Sequence, residues 1–309
     1  MKLLKPKFWD EDKISIIAII LFPISICIKS LFFLRKIFTT QKKFSIPIIC
    51  VGNIYLGGTG KTPICVELFN FLKDLNKNPC FVRKNYDSQL DEVNLLQSKG
   101  DISLGKNRII ALNKVIEKKF DIAILDDGFQ DLSIKKNLSI VCFNEKQWIG
   151  NGLTIPAGPL REDLSALKRA NIVIINGEKN IKIEKKILKN NQLIKIFYTQ
   201  YHTNDIIKFK NKKIISFAGI GNPDNFFDLL EVNNLNIIEQ LSFPDHYNYS
   251  NIELENLIEK AKNKGAVLLT TEKDYFRIDK KYKSIVNCLK IKVKIKNNSQ
   301  FIEEVKKYI

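Results

Sequence analysis

The sequence predicts an α/β fold. A mostly parallel sheet of P-loop NTPase type carries helices on both faces, with a membrane helix before it and a second, smaller α/β domain after it. Three observations predict this. From Ile46 onward, short apolar runs alternate with segments of helical spacing, the rhythm of strands joined by crossover helices. One run stops at a glycine-rich turn, Gly57-Gly58-Thr59-Gly60-Lys61-Thr62. Ahead of all this stands an almost wholly apolar stretch, Ile14–Leu34. A chain of 309 residues suits two domains. The division expected is 1–40 for the membrane-associated helix, 41–205 for the P-loop domain and 206–309 for the smaller domain.

Within the first stretch, Ile14–Ile28 is broken only by Ser15, Pro23 and Ser25; Lys29 interrupts it and Leu31–Leu34 resumes it. Its length is near the ~20 residues that cross a hydrocarbon core. Lys2, Lys5, Lys7 and Lys13 precede it, Arg35, Lys36, Lys42 and Lys43 follow, and Phe8 and Trp9 stand where interfacial rings sit. Asp10, Glu11 and Asp12 ahead of the run argue against a cleaved signal peptide, as does the lack of a small-x-small site after it. The preferred reading is a helix embedded in one leaflet, with Lys29 snorkelling to the surface. A full span and a buried core helix are the alternatives.

Ile46–Val51 reads as a strand ending at Gly52, and Pro63–Leu72 as the helix after the glycine turn. Cys80–Val82 is a short strand, Ile109–Lys118 a helix, and Ile122–Leu125 a buried strand ending in acids. Ile140–Phe143 and Ile172–Ile175 are further strands, and Ile183–Asn191 is a Lys-rich surface helix. Ile194–Phe209 reads as strand-like connecting structure. A second alternating set begins near Asp205: strand Ile214–Ala218, helix Asp224–Leu230 and strand Ile237–Phe243. Helix Asn251–Lys264, closed by Gly265, and strand Ala266–Thr270 follow. Ile291, Val293 and Ile295 alternate as one more strand.

The formal charge of +17 fits an acidic partner, whether nucleic acid, an anionic membrane or a phosphorylated substrate. Of the 50 basic residues six are Arg and the rest Lys, spread along the chain without aromatic interleaving, which argues against a nucleic-acid surface. The six cysteines form no CxxC pair and neither histidine stands near one, so zinc has no support; they read as buried thiols in a reducing compartment.

Two motifs carry chemistry. In the glycine turn, backbone N–H groups cradle phosphate oxygens at a helix N-terminus, Lys61 reaches the β- and γ-phosphates, and the Thr62 hydroxyl binds Mg²⁺. The turn departs from the strict pattern because Tyr55, not Gly, stands five residues before Gly60. Asp126-Asp127-Gly128-Phe129-Gln130 ends a strand, where ligands of open α/β sheets sit, so Asp126 and Asp127 are candidate Mg²⁺ acids.

Together these motifs resemble the tetraacyldisaccharide 4′-kinase family of lipid A biosynthesis. So do Gly52-Asn53-Ile54, Pro156-Ala157-Gly158-Pro159-Leu160-Arg161-Glu162 and Phe217-Ala218-Gly219-Ile220-Gly221-Asn222-Pro223. Phe243-Pro244-Asp245-His246-Tyr247, Thr270-Thr271-Glu272-Lys273-Asp274 and the opening Pro6-Lys7-Phe8-Trp9 agree, in the expected order along nearly the whole chain. The resemblance implies an inner-membrane kinase facing the cytoplasm of a Gram-negative bacterium. Such an enzyme moves the γ-phosphate of ATP to the 4′-hydroxyl of an acylated disaccharide 1-phosphate. It implies Asp91, assisted by His246, as the base for the sugar hydroxyl, with Lys61 and Arg161 around the phosphoryl group. Glu162 is a further candidate for Mg²⁺, and Asn53, Lys84 and Arg108 are expected substrate contacts. The partners implied are the lipid substrate and the inner membrane, with no nucleic acid and no obligate protein partner.

Where the family usually reads Ser-Arg-Gly-Tyr-Gly, this chain has Arg83-Lys84-Asn85-Tyr86-Asp87; Tyr86–Asp91 is shorter than usual, and Asp131 replaces a common His. The alternative is a membrane-bound regulatory P-loop ATPase, but Leu56 stands where that class carries its signature Lys. A GTPase would need Asn-Lys-x-Asp, and Thr271-Glu272-Lys273-Asp274 has the wrong spacing for it.

Overall fold

A computed structural model describes residues 5–11, 13–86 and 89–309. Lys2 and Asp12 of the N-terminal reading, and Asp87 of the Arg83–Asp87 segment, lie outside the described residues. The chain forms two compact units. The larger holds Lys5–Asn85, Gly100–Gln200 and Lys294–Ile309; the smaller holds Tyr86–Lys99 and Tyr201–Val293. These units cut across the continuous division at Asp205: a segment inside the P-loop half belongs to the smaller unit, and the C-terminus belongs to the larger.

The strands are β1 (Ile48–Gly52), β2 (Pro79–Lys84), β3 (Ile102–Gly105), β4 (Ile122–Asp126), β5 (Leu138–Asn144), β6 (Ile172–Asn176) and β7 (Lys195–His202). Then come β8 (Lys213–Ala218), β9 (Asn236–Ser242), β10 (Ala266–Thr271), β11 (Asn287–Leu289) and β12 (Lys292–Ile295). One eight-stranded sheet runs β12-β7-β6-β5-β1-β4-β2-β3, and a four-stranded sheet runs β11-β10-β8-β9. From β1 to β7 every pairing in the large sheet is parallel. Its central strands β1, β4, β5 and β6 are buried at every position, which is why they read as unbroken apolar runs rather than alternating ones.

Helices cover both faces of this sheet. Ala111, Leu112 and Val115 of α4 (Arg108–Glu117) and Ile183 and Ile187 of α5 (Ile181–Asn190) share a core with Ile48, Cys50, Cys80 and Val82. Phe81, between Cys80 and Val82, points the other way. There it stacks on Phe69 of α2 (Lys61–Asp74) at 4.6 Å. The last helix, α9 (Asn298–Lys306), sets Phe301 edge-on to Phe197 of β7 at 5.3 Å.

α1 (Ile16–Phe38) starts at Ser15, whose side chain accepts from the Ala18 N–H. It buries only Ala18 and Ser25, while Ile16 is 76% and Phe38 81% exposed. It is therefore no core helix, and by length and composition it could cross a membrane. The Lys29 ammonium, on an exposed side chain, pairs with Asp163 at 2.5 Å.

In the smaller unit all sheet pairings are parallel. Phe226, Phe227 and Leu230 of α6 (Asp224–Val232) pack with Ile214 and Ala218 on one face. Leu254 and Leu257 of α7 (Asn251–Asn263) pack with Ile215 and Phe217 on the other, and α7 opens on a Ser250/Glu253 capping box. α3 (Leu90–Gln97) and the short α8 (Glu272–Tyr275) pack together, and Lys99 pairs with Glu272 at 2.8 Å.

Candidate active site

In the larger unit β1 lies between β4 and β5, so the turns after β1 and β4 open side by side. Register pairs Val51 with Asp126. A Cβ on Gly52 would stand 2.5 Å from the Phe129 Cβ, so glycine there lets the acidic turn close against the P-loop strand. Gly60 caps α2 in the left-handed region, φ 84°, which glycine adopts without strain. Lys61 and Thr62 follow in the first turn of α2. Asn53, an expected substrate contact, is fully buried and wires the loop from inside. Its Nδ2 donates to the Tyr55 carbonyl at 2.6 Å, to Thr59 Oγ1 at 3.0 Å and to the Gly57 carbonyl at 3.3 Å.

The two acids after β4 have different surroundings. Asp126 is buried and accepts from Arg83 Nη1 at 2.8 Å, with the Cys65 thiol 3.6 Å from its other oxygen. Asp127 turns outward at φ 54° and remains a quarter exposed. Arg161 Nη1 donates to both its oxygens, at 2.9 and 3.0 Å, and the Lys61 ammonium stands 3.8 Å away. Burial raises the Asp127 pKa, but Lys61, Arg161 and Arg108 outweigh it and hold the carboxyl at about 2. Arg108, a second expected substrate contact, is turned inward: Nη2 donates to the Asp127 carbonyl at 2.6 Å and Nη1 stands 3.5 Å from Asp131. Lys84 ends β2, in register with Gly105.

Glu162 accepts two bonds from Arg169 Nη2, at 2.9 and 2.8 Å, and one from Gln130 Nε2 at 3.3 Å. The Arg169 guanidinium also lies over the Phe129 ring at 4.8 Å. Among the described residues no three His, Cys, Asp or Glu side chains form a ready metal cluster.

The smaller unit builds a second cluster. Asp91, in the first turn of α3, is 4% exposed. His246 Nδ1 lies 3.0 and 3.1 Å from its two oxygens, so the structure brings together the pair implied by resemblance. Arg277 donates to the same carboxylate from Nε at 2.9 Å and Nη2 at 2.7 Å. Arg277 is itself held by Asp274 at 2.8 Å and the Gly219 carbonyl at 2.7 Å. Asp274 is fully buried and accepts from the Gly219 N–H, the Tyr249 hydroxyl and Thr271 Oγ1. Lys273 stands 3.3 Å from His246 Nε2, 2.8 Å from Glu92 and 3.3 Å from Asp245. Burial raises the Asp91 pKa; His246, Lys273 and Arg277 more than offset this and hold it at about 2. Burial depresses Lys273, but Glu92, Asp245 and Asp91 push it up to about 12.

A sequence profile of the family described as tetraacyldisaccharide-1-P 4′-kinase matches residues 17–309. The chain belongs to this family. It is 41% identical over 311 residues to the tetraacyldisaccharide 4′-kinase of Pelagibacter ubique, covering 99% of this chain and 98% of that protein. It is 39% identical over 323 residues to the one of Rickettsia bellii, again covering 99% and 98%. The fold matches a crystal structure of the "apo" form of LpxK from Aquifex aeolicus in complex with ATP, with a TM-score of 0.72. That match covers 95% of this chain and 99% of the other at 24% identity. This member of the 4′-kinase family is thus a kinase of lipid A biosynthesis with a large parallel sheet and an apolar N-terminal helix.

Sequence reasoning passed over three residues of these 4′-kinase clusters: Arg83, Arg169 and Arg277. A signal was present. In a chain with so few arginines, Arg83, Arg108, Arg161, Arg169 and Arg277 each pair with an acid beside one of the clusters. Lysine cannot copy the forked geometry these contacts use.

Proposed function

We propose that this chain, using ATP and Mg²⁺, transfers the γ-phosphate to the 4′-hydroxyl of a tetraacyldisaccharide 1-phosphate at the cytoplasmic face of the bacterial inner membrane. One observation carries the reading: Lys61 and Arg161 both stand within 3.8 Å of Asp127, where a glycine turn opens a helix beside the end of β4. A cradle for phosphates, a fixed acid and nearby cations are what phosphoryl transfer asks of a protein, because the work is positioning and charge neutralisation. In this reading the loop Gly57–Thr62 holds the ATP phosphates, Lys61 contacts the β- and γ-phosphates, and Arg161 leaves Asp127 for the transferring group.

The donor set fits Mg²⁺, which takes one or two carboxylates and completes its shell with phosphate oxygens and water. Thr62 and Asp127 would hold it; bound there, it supplies positive charge to the phosphates. Asp126 and Glu162, engaged by Arg83 and Arg169, support the site from behind. Asp91 accepts the proton of the sugar hydroxyl with His246 orienting it or relaying the proton. A carboxyl with so low a pKa suits a reaction in which the proton leaves late. Lys84 contributes charge toward the substrate phosphate. The exposed apolar face of α1 lies in the membrane, where the acylated substrate resides.

The test is incubation of the full chain with γ-labelled ATP and the acylated disaccharide 1-phosphate, followed by lipid separation. Label is expected in the lipid fraction. Phosphate release at the same rate without the lipid would instead favour the regulatory ATPase.

A further inference from the structure

α1 is fastened to the larger unit through two polar side chains on one face. Ser25, 1% exposed, donates Oγ to the Thr154 carbonyl at 2.9 Å and accepts from the Ala157 N–H at 3.1 Å. It thereby closes both ends of one turn. One helical turn further on, Lys29 pairs with Asp163. The segment ahead of α1 grips the same turn: Trp9 Nε1 donates to the Pro156 carbonyl at 3.1 Å.

The chain leaving this turn carries Arg161. It runs against the shoulder of the P-loop, with the Leu56 N–H bonded to the Pro159 carbonyl at 2.8 Å and the Arg161 N–H to the Ile54 carbonyl at 2.7 Å. Arg161 then reaches Asp127.

A serine in an apolar helix ordinarily bonds back to its own helix. Ser30 does so, to the Ile26 carbonyl at 3.0 Å. Ser25 is different: its back-bond to Leu21 is 3.5 Å, while its bond to Thr154 is 2.9 Å. Its hydroxyl is spent on the loop.

We propose that Ser25 is a positioning residue. By holding the Thr154–Ala157 turn it sets the placement of Arg161, so α1 acts on the rate of phosphoryl transfer as well as on location. The proposal rests on the role given to Arg161 above.

The test uses the full chain in detergent micelles with dispersed acylated disaccharide 1-phosphate and ATP, where location on a bilayer plays no part. Ser25→Ala is expected to lower kcat about ten- to a hundredfold, since a misplacement of about 1 Å can cost a rate of about a hundredfold. KM for ATP, the thermal midpoint and membrane retention in cells should be unchanged. Ser25→Thr, which keeps the hydroxyl, should restore kcat. Lys29→Met, a second break on the same face, should lower kcat in the same direction and covers the case of a Ser25→Ala protein that does not fold. Ile19→Ser with Ile26→Ser, on the exposed face, should weaken membrane retention and leave kcat in micelles unchanged. In an Arg161→Ala background Ser25→Ala should cost nothing further. Wild-type kcat in micelles for both Ser25→Ala and Lys29→Met, or full additivity with Arg161→Ala, overturns the proposal. A slow Arg161→Ala beside wild-type Ser25→Ala and Lys29→Met overturns this inference alone. Wild-type turnover in Arg161→Ala overturns the role of Arg161 and the inference together.

Discussion

Asp91 accepts from His246 and twice from Arg277, and these contacts set both its chemistry and its stability. Its carboxyl sits at about 2 against an ordinary 3.8, so folding gains from the ionised form. With a depressed folded pKa, the contribution is complete above about pH 4 and is lost as pH falls through 2. A gap of about 2 kcal/mol between wild type and Asp91→Asn is expected in denaturant melts at pH 6. It should narrow steadily between pH 4 and pH 2, and a gap independent of pH would remove the ionised carboxylate as its source. In turnover, Asp91→Ala should lower kcat roughly 10²–10⁴-fold with nucleotide binding intact, and adding His246→Ala should cost little more. Additive losses would show that the two do not act as one unit. Lys61→Ala should cost roughly 10²–10³-fold in kcat, measured as label entering lipid, because it removes a fixed charge from the phosphoryl group. The pairing of Asp91 with His246 was legible only through the family resemblance. Nothing in local periodicity can tie Asp91 to Arg277, 186 positions away.

At the scale of elements, long buried strands announced themselves. β4, β5 and β6 lie within two residues of their apolar runs because both faces are covered. β3 did not: four residues, Ile102-Ser103-Leu104-Gly105, offer too little pattern at the edge of the sheet. α3, eight residues long, was passed over for the same reason, and β12 was read as a strand but placed with the smaller domain, although it edges the large sheet. α1 was read from composition alone, which names Ser25 and Lys29 but cannot say that they attach the helix to Thr154, Ala157 and Asp163. Its exposed face carries a prediction. Membrane-bound protein should resist extraction by high salt and yield to detergent, since burial of apolar surface is insensitive to screening. Release by salt alone, measured in the supernatant after sedimentation, would mean the helix does not insert.

For the molecule as a whole, the formal charge of +17 acts over a longer range than any of these contacts. The arrival rate at anionic vesicles should fall several-fold between low and physiological salt, as the Debye length shrinks from about 30 Å to about 8 Å. The same change should leave neutral vesicles nearly unaffected. Stopped-flow binding to the two vesicle types checks this, and equal salt dependence would make the lysines a compositional habit only.

The segment Tyr86–Lys99 leaves the larger unit between β2 and β3 and joins residues made much later. On the ribosome this has a timetable. Arg277 is polymerised 186 residues after Asp91, which at roughly 5–20 residues per second takes on the order of ten to forty seconds. Within that interval β1 to β7 can pair, lacking only β12 at the edge of their sheet, while α3 is without its arginine and its acid is still bathed in water. The newborn chain therefore holds its glycine turn and the acids after β4 before Asp91 has met Arg277, and the Asp91 cluster is complete only within the last third of the chain.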